Sequence, residues 1–245
     1  MDVLELRQFY ASPLGRQVRR VLARRLAALP VPPKEARVLG LGFATPWLDA
    51  LREHVHATFA FMPAHQGALR WPARGAAATA LVDEGALPLP DACIDLALVV
   101  HALELTPKRD ALMRELWRVL APAGHVVFIV PNRSGLWARS DSVPFGHGRP
   151  FSRRQLERLL EEALFTPVRM EPVLFMPPWR NRLLRGSPAT WERVGKLLWP
   201  GFSGLILAEA VKQVYARRTE RARPLLAPAL HPAPAVPAGV PRNGA

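Results

Sequence analysis

The 245 residues are 49% apolar and 22% charged, a composition that belongs to a folded chain of one large domain or two small ones and excludes disorder of the whole. No apolar run reaches the roughly 18 residues of a membrane-spanning helix; the longest, such as Val126 to Val130 and Leu205 to Ala208, have the length of strands. The net charge of +13 is uneven, with 8 bases and 3 acids in residues 1–37, 9 and 10 in 38–148, and 16 and 7 in 149–245, and since no stretch interleaves aromatics with bases as a stacking platform would, nucleic acid is not the expected partner.

The N-terminus carries Asp2 and Glu5 where a secretory signal would carry bases, so a cytoplasmic location is expected. Residues 3–29 read as helix broken at Ser12-Pro13, with Val18, Val21, Leu22, Leu26 and Leu29 at helical spacing. Pro30 to Pro33 stop it, which makes residues 1–33 an N-terminal helical segment. Arg37 to Gly42 then read as a buried strand entering a glycine turn, and Thr45-Pro46 as the cap and first-turn proline of a helix running to about Ala57. Further strands are expected at Thr58 to Met62, Ala77 to Val82 and Ile94 to Val100. Cys93 is the single cysteine, which leaves no disulfide and no cysteine cluster for a metal; it reads as a buried packing thiol, and no metal site is expected.

Thr106-Pro107 reads as the start of a helix with Leu112, Leu116, Val119 and Leu120 on one face, ended by Pro122 to Gly124, and a fifth strand runs from Gly124 to Val130. Ser152 with Gln155 is a capping box, stapled by Phe151 and Leu156. Strands near Val168 to Met176 and Gly204 to Val214 flank an insertion, 177–201, rich in Trp, Arg and Pro, in which Ser187-Pro188 opens a helix. From residue 220 to 245 the Pro- and Ala-rich chain reads as a disordered tail. Strands alternating with helices imply an α/β fold, a doubly wound and mainly parallel sheet whose ligands bind where strands end.

Two passages resemble class I S-adenosylmethionine-dependent methyltransferases of the type 11 kind. Leu87 to Leu96 is similar to that family's "LPFPDxSFD", and Arg114 to Gly124 to its "REIxRVLKPGG"; His101-Ala102-Leu103-Glu104 resembles the "HVLE" between them. The resemblance covers about Val38 to Thr166. It implies a Rossmann-like seven-stranded sheet with an antiparallel last strand, a methyltransferase-like domain over 34–219, S-adenosylmethionine as cofactor, and methyl transfer to a small-molecule or lipid-like acceptor. The alternative is a methyltransferase-like binding protein that has lost catalysis and acts through a partner.

On this resemblance Gly40, Gly42, Thr45, Met62, Asp83 and Glu84 are the cofactor-side residues. Gly40 stands in place of the family's acid, Ala44 and Pro46 replace its later glycines, and no acid lies between Glu53 and Asp83 to meet ribose hydroxyls, which leaves His65 or Gln66 as substitutes. His101, after the fourth strand, and His147 are the candidate catalytic bases; Glu104 reads as a helix-start acid. The long loop from Pro131 to Pro150 supplies Trp137, Phe145 and Arg149 as acceptor-binding residues. The insertion, with Trp179, Trp191 and Trp199 among five bases, is expected to form an acceptor-side lid able to touch an anionic membrane peripherally. An RNA-binding role would need both basic termini on one face, and nothing in the chain specifies an oligomeric state.

Overall fold

The computed structural model describes residues 1–179, 191–192, 195 and 200–213. Seven strands, β1 (Arg37–Gly42), β2 (Ala57–Pro63), β3 (Thr79–Val82), β4 (Ile94–Val100), β5 (Leu120–Pro131), β6 (Phe165–Val173) and β7 (Leu205–Lys212), form one sheet in the order β3-β2-β1-β4-β5-β7-β6. All neighbours are parallel except those of β7, which runs antiparallel to both β5 and β6. This is the doubly wound sheet expected from the sequence, its last strand inserted in reverse.

The central strands are apolar on both faces, and successive residues serve opposite cores. Leu96, Leu98 and Val100 of β4 with Val127 and Ile129 of β5 face one core, where α1 (Val3–Ala11), α2 (Pro13–Leu26) and α3 (Thr45–Arg52) pack. Ala97 and Val99 with Val126, Phe128 and Val130 face the other, covered by α4 (Arg109–Val119) and α5 (Arg153–Glu162). The Ser152–Gln155 capping box forms as expected, and Phe151 and Leu156 are buried beneath it.

The N-terminal acids have a structural use. Asp2 caps α1, and Glu5 returns the bond to the Asp2 N–H, so two otherwise unbonded helix donors are satisfied. Ser12 ends α1 and caps α2, with Pro13 as the first residue of α2. Helices this close leave no room for a side chain at the joint, where a Cβ on Gly15 would lie 1.9 Å from the Phe9 carbonyl oxygen.

Several boundaries differ from expectation. The helix opened by Thr45 stops at Arg52, because Ala57 already pairs with Arg37 in the sheet. α4 begins at Arg109, since Leu105 and Thr106 both donate to the Ala102 carbonyl in a tight turn. Helices are absent from both connections flanking β3, residues 64–78 and 83–93, where prolines and glycines interrupt any helical run. Trp71 fills in for the first of them, buried in the core with Nε1 donating to Asp49 at 2.9 Å. Cys93 is half-buried, packed at the margin of the α4–α5 core, and burial pushes its thiol up. The helix expected after Ser187-Pro188 and the tail from 220 lie outside the described residues. Among those described, no helix is long and apolar enough to cross a membrane, and no group of acids, histidines or cysteine is arranged to hold a metal.

Candidate active site

The C-terminal ends of β1, β2 and β4 meet at the sheet's central crevice. Gly42 makes the turn out of β1 with φ +79°, and a Cβ there would lie 2.2 Å from the Val100 carbonyl oxygen; only glycine permits both the conformation and the approach. Phe43 then donates its N–H to that same carbonyl at 2.8 Å, locking the β1 turn onto the end of β4. Pro46 lies in the first turn of α3 as expected, but the cap is Ala44, which offers no side-chain bond, and Thr45, expected as the cap, is already the first helical residue.

His101 follows β4 with φ +54°, a left-handed conformation uncommon outside glycine and often found at functional sites. Its imidazole is fully buried. Nε2 lies 2.9 Å from the Tyr10 hydroxyl, and Nδ1 lies 3.2 Å from Glu104 Oε1. Burial, and secondarily the Glu104 charge, hold the Tyr10 phenol well above its ordinary value, so the hydroxyl keeps its proton in the hydrogen bond it shares with Nε2. The Nδ1–Oε1 approach is too poorly aligned for a hydrogen bond, and Nδ1 and both Glu104 oxygens are buried without a partner. An unpaired buried polar group costs about 1–3 kcal/mol, so this pair is an expense that packing alone does not explain. Glu104, read from the sequence as a helix-start acid, is five residues short of α4 and faces His101.

Tyr10 belongs to α1, which lies across the crevice. Its ring stacks on Phe43, with centroids 5.4 Å apart and planes 8° from parallel, and meets Trp47 edge-on. Val3 donates its N–H to the Gln66 carbonyl at 2.8 Å, and Gln66 Nε2 donates to the His101 carbonyl at 2.6 Å. One short helix thus touches the ends of all three strands. Neither Tyr10 nor Gln66's tie to His101 is visible as a local pattern; the Tyr10 contact spans 91 residues.

The other candidate residues divide between the crevice and its surroundings. Gly40 is buried, its missing Cβ replaced by Leu48 of α3, and Met62 is buried with its sulfur accepting from the Leu69 N–H. Asp83 is exposed and binds Lys108 and the Gly85 N–H, which together hold its carboxyl below the usual range. Glu84 is buried, accepting from the Thr106 hydroxyl at 2.8 Å with His65 3.5 Å away. Trp137 and Phe145 are core residues: Trp137 donates to the Met176 carbonyl, and Phe145 packs 4.5 Å from the His101 ring. His147 is exposed, 3.1 Å from the Asp141 carbonyl, and Arg149 is an exposed side chain whose N–H binds the Glu104 carbonyl. The structure therefore brings His101 and Phe145 together and leaves His147 and Arg149 outside the buried cluster. A cavity of about 680 Å³ separates α1 from the Asp141–His147 stretch, with His147 at its edge.

The two family-like passages turn out to hold each other. Arg118 donates to the carbonyls of Leu87 and Leu89, to Asp91 and to both oxygens of Glu115, while Glu115 accepts from the Leu87 N–H at 2.7 Å. Arg118 lies in the second passage and Leu87 to Asp91 in the first, so their sequence patterns record one contact.

A family model described as a methyltransferase domain matches residues 14–169, well over half of the chain. No curated protein matches by sequence. Among solved structures, an S-adenosylmethionine-dependent methyltransferase of Thermotoga maritima, a possible histamine N-methyltransferase, is 17% identical with a TM-score of 0.59, covering 86% of this chain and 96% of its own. Geranyl diphosphate C-methyltransferase of Streptomyces coelicolor, solved with Mg2+, geranyl diphosphate and S-adenosylhomocysteine, is 12% identical with a TM-score of 0.55, covering 79% and 78%. The [4+2]-cyclase SpnF is 22% identical with a TM-score of 0.56, covering 82% and 83%. At such identities these neighbours speak for the fold.

A nucleoside-bearing cofactor does not fit the crevice in the conformation described. Gly40, Gly42, Met62 and His101 are all buried, Tyr10 and Phe43 stack over the turn, and β2 ends in Pro63 with no carboxylate for a ribose. Fold, strand order and the family match nonetheless agree, and the chain belongs to the S-adenosylmethionine-dependent methyltransferases, with S-adenosylmethionine as the cofactor of that family.

Proposed function

We propose that the chain transfers a methyl group from S-adenosylmethionine to a small-molecule or lipid-like acceptor once α1 has left the crevice. The carrying observation is the buried His101–Glu104 pair at the end of β4, polar, unsatisfied and capped by a hydroxyl. The cofactor, when bound, supplies an electrophilic methyl group; the remaining work falls to the chain. With Tyr10 withdrawn, His101 Nε2 faces the crevice as an acceptor for a hydroxyl or amine proton. Glu104, beside Nδ1, positions the ring and balances the charge that proton transfer creates. In the closed state the Tyr10 hydroxyl occupies the place of the group to be deprotonated. The cavity edged by His147 is the acceptor's approach, and the aromatic wall of Phe9, Tyr10 and Phe145 separates it from His101.

An anionic membrane as acceptor source is supported by the rim beyond β5 and β7. Leu136, Phe202 and Trp179 are 50%, 60% and 45% exposed, the loops bearing the first two are joined through Asn132 and Ser203, and Arg133 and Arg139 are exposed beside them. Apolar side chains beside cations suit a headgroup layer. Flotation with anionic and neutral vesicles tests this; absence of binding to the anionic ones at low salt removes it.

The test of the main reading is release of S-adenosylhomocysteine over a panel of hydroxyl and amine acceptors. Turnover should be lost in His101→Ala, and in Glu104→Gln the fall should lie mainly in kcat. Unchanged turnover in His101→Ala overturns the assignment. A second reading, a methyltransferase-like protein without methyl transfer, is favoured by the closed crevice and absent ribose carboxylate, and failure of any α1-loosened variant to bind the cofactor would establish it.

A further inference from the structure

At the other end of the sheet, α2, α3 and residues 29–33 stand away from β4, β5 and β7 and leave a groove of about 600 Å³. That volume is typical of small-molecule sites. Leu96, Leu98 and Val127 form the floor, and Leu26, Trp47 and Leu51 line the wall. The sheet register sets Leu98, Val127 and Glu209 in one row, with Leu96 and His125 in the next.

Glu209 is the odd member of this row. Every other residue from Leu205 to Val211 is apolar, yet Glu209, which also lines the groove, is only 4% exposed. A carboxylate buried among apolar groups needs partners. Oε1 has one, His125 Nδ1 at 2.8 Å; among the described residues no donor binds Oε2. Arg169, the register partner of Glu209 on β6, directs its guanidinium to Glu171 and the Ala28 carbonyl instead. Two further carboxylates, Asp49 and Asp95, lie along the groove, with Arg19 the only arginine or lysine among its described lining residues.

We propose that this groove binds an amphiphile with a slim alkyl body and a protonated amine head, the amine donating to Glu209 Oε2 and the alkyl chain lying along Leu96, Leu98 and Val127. An anionic head would meet three carboxylates and is disfavoured. The site shares Trp47 with the packing around Tyr10, but the proposal does not rest on the reading of the methyl-transfer crevice.

Calorimetric titration of the full chain with dodecylamine, octylamine and dodecanoate, each below its micelle concentration, tests the proposal. Dodecylamine should bind, dodecanoate at least tenfold more weakly, and octylamine weaker than dodecylamine by about fourfold per missing methylene. Glu209→Gln should weaken dodecylamine about ten- to a hundredfold, the range of a hydrogen bond to a charged group. Ala27→Trp, at an exposed position lining the groove, should block binding without disturbing the core, and it decides the matter should Glu209→Gln fail to fold. Equal binding of dodecanoate, or dodecylamine binding that survives Ala27→Trp, overturns the proposal.

Discussion

Replacing Arg118 with alanine removes the clamp that joins the passage from Leu87 to Asp91 to α4. The guanidinium makes five hydrogen bonds of 2.6 to 2.9 Å, and its side chain is 31% exposed, so they are unequal in worth. The bond to Asp91, whose side chain is 77% exposed, adds little in water. The pair to Glu115, 16% exposed, and the Leu89 carbonyl matter more, because alanine leaves Glu115 Oε1 and that carbonyl without their donor, while the Leu87 carbonyl keeps the Leu89 N–H and Glu115 Oε2 keeps the Leu87 N–H. Hydrogen bonds to charged groups contribute about 1.5–3 kcal/mol each when sheltered, and sharing one guanidinium makes them less than additive. The expected loss is about 2–3 kcal/mol, which for a domain of this size lowers Tm by roughly 4–12 °C. Arg118→Lys should recover under half of it, since an ammonium cannot present a planar fork to Glu115 and reach both carbonyls. Thermal melts followed by circular dichroism at pH 7 measure this. A fall in Tm below about 1 °C, or full recovery by lysine, would refute the clamp.

Three further outcomes follow from single contacts. The Arg118 guanidinium, with help from the Leu87 N–H, holds the Glu115 carboxyl below its usual range despite partial burial; its stabilising contribution is therefore complete above the unfolded value of about 4.3 and is lost as pH falls through the lower folded value. Acid titration of stability should show a shallower decline below about pH 4.3 in Glu115→Gln than in the parent chain, and identical declines would contradict that role. Tyr10→Phe keeps the stacking on Phe43 but leaves His101 Nε2 buried without its partner, so urea melts should show a loss of about 1–3 kcal/mol; no loss would mean that the bond contributes nothing. Gly42→Ala must place a Cβ 2.2 Å from the Val100 oxygen at φ +79°, and should cost more than about 2 kcal/mol or prevent folding, whereas a variant as stable as the parent would show the turn to be yielding.

What the sequence disclosed was local. Strand β4 is a run of aliphatic residues, α5 carries its own capping box, and the passages around Leu87 and Arg118 are similar to a family pattern because they are in contact. Contacts between distant segments left no such trace. Tyr10 looks like one more residue of a leading helix until α1 docks over β4, and Glu104 resembled a helix-start acid because Thr106-Pro107 imitates a helix opening that the Ala102 turn pre-empts. The aromatics of the 131–150 loop suggested a ligand surface; Trp137 and Phe145 instead pack the loop onto the core, as compact loops often do with their own side chains. The reading of the insertion as a lid falls largely outside the described residues.

Competition between α1 and the methyl donor for one crevice is measured by titrating S-adenosylhomocysteine into the parent chain and into Leu6→Ala. Leu6 is fully buried on the inner face of α1 and its side chain makes no polar contact in the crevice, so truncating it weakens the docking of α1 by about 2–5 kcal/mol while leaving His101, Glu104 and the glycine turn intact. When only a fraction of molecules is open, apparent affinity is reduced by that fraction. S-adenosylhomocysteine should therefore bind Leu6→Ala at least tenfold more tightly than the parent, with both proteins folded by circular dichroism. Equal affinity in the two, or binding weaker in Leu6→Ala, would contradict the claim.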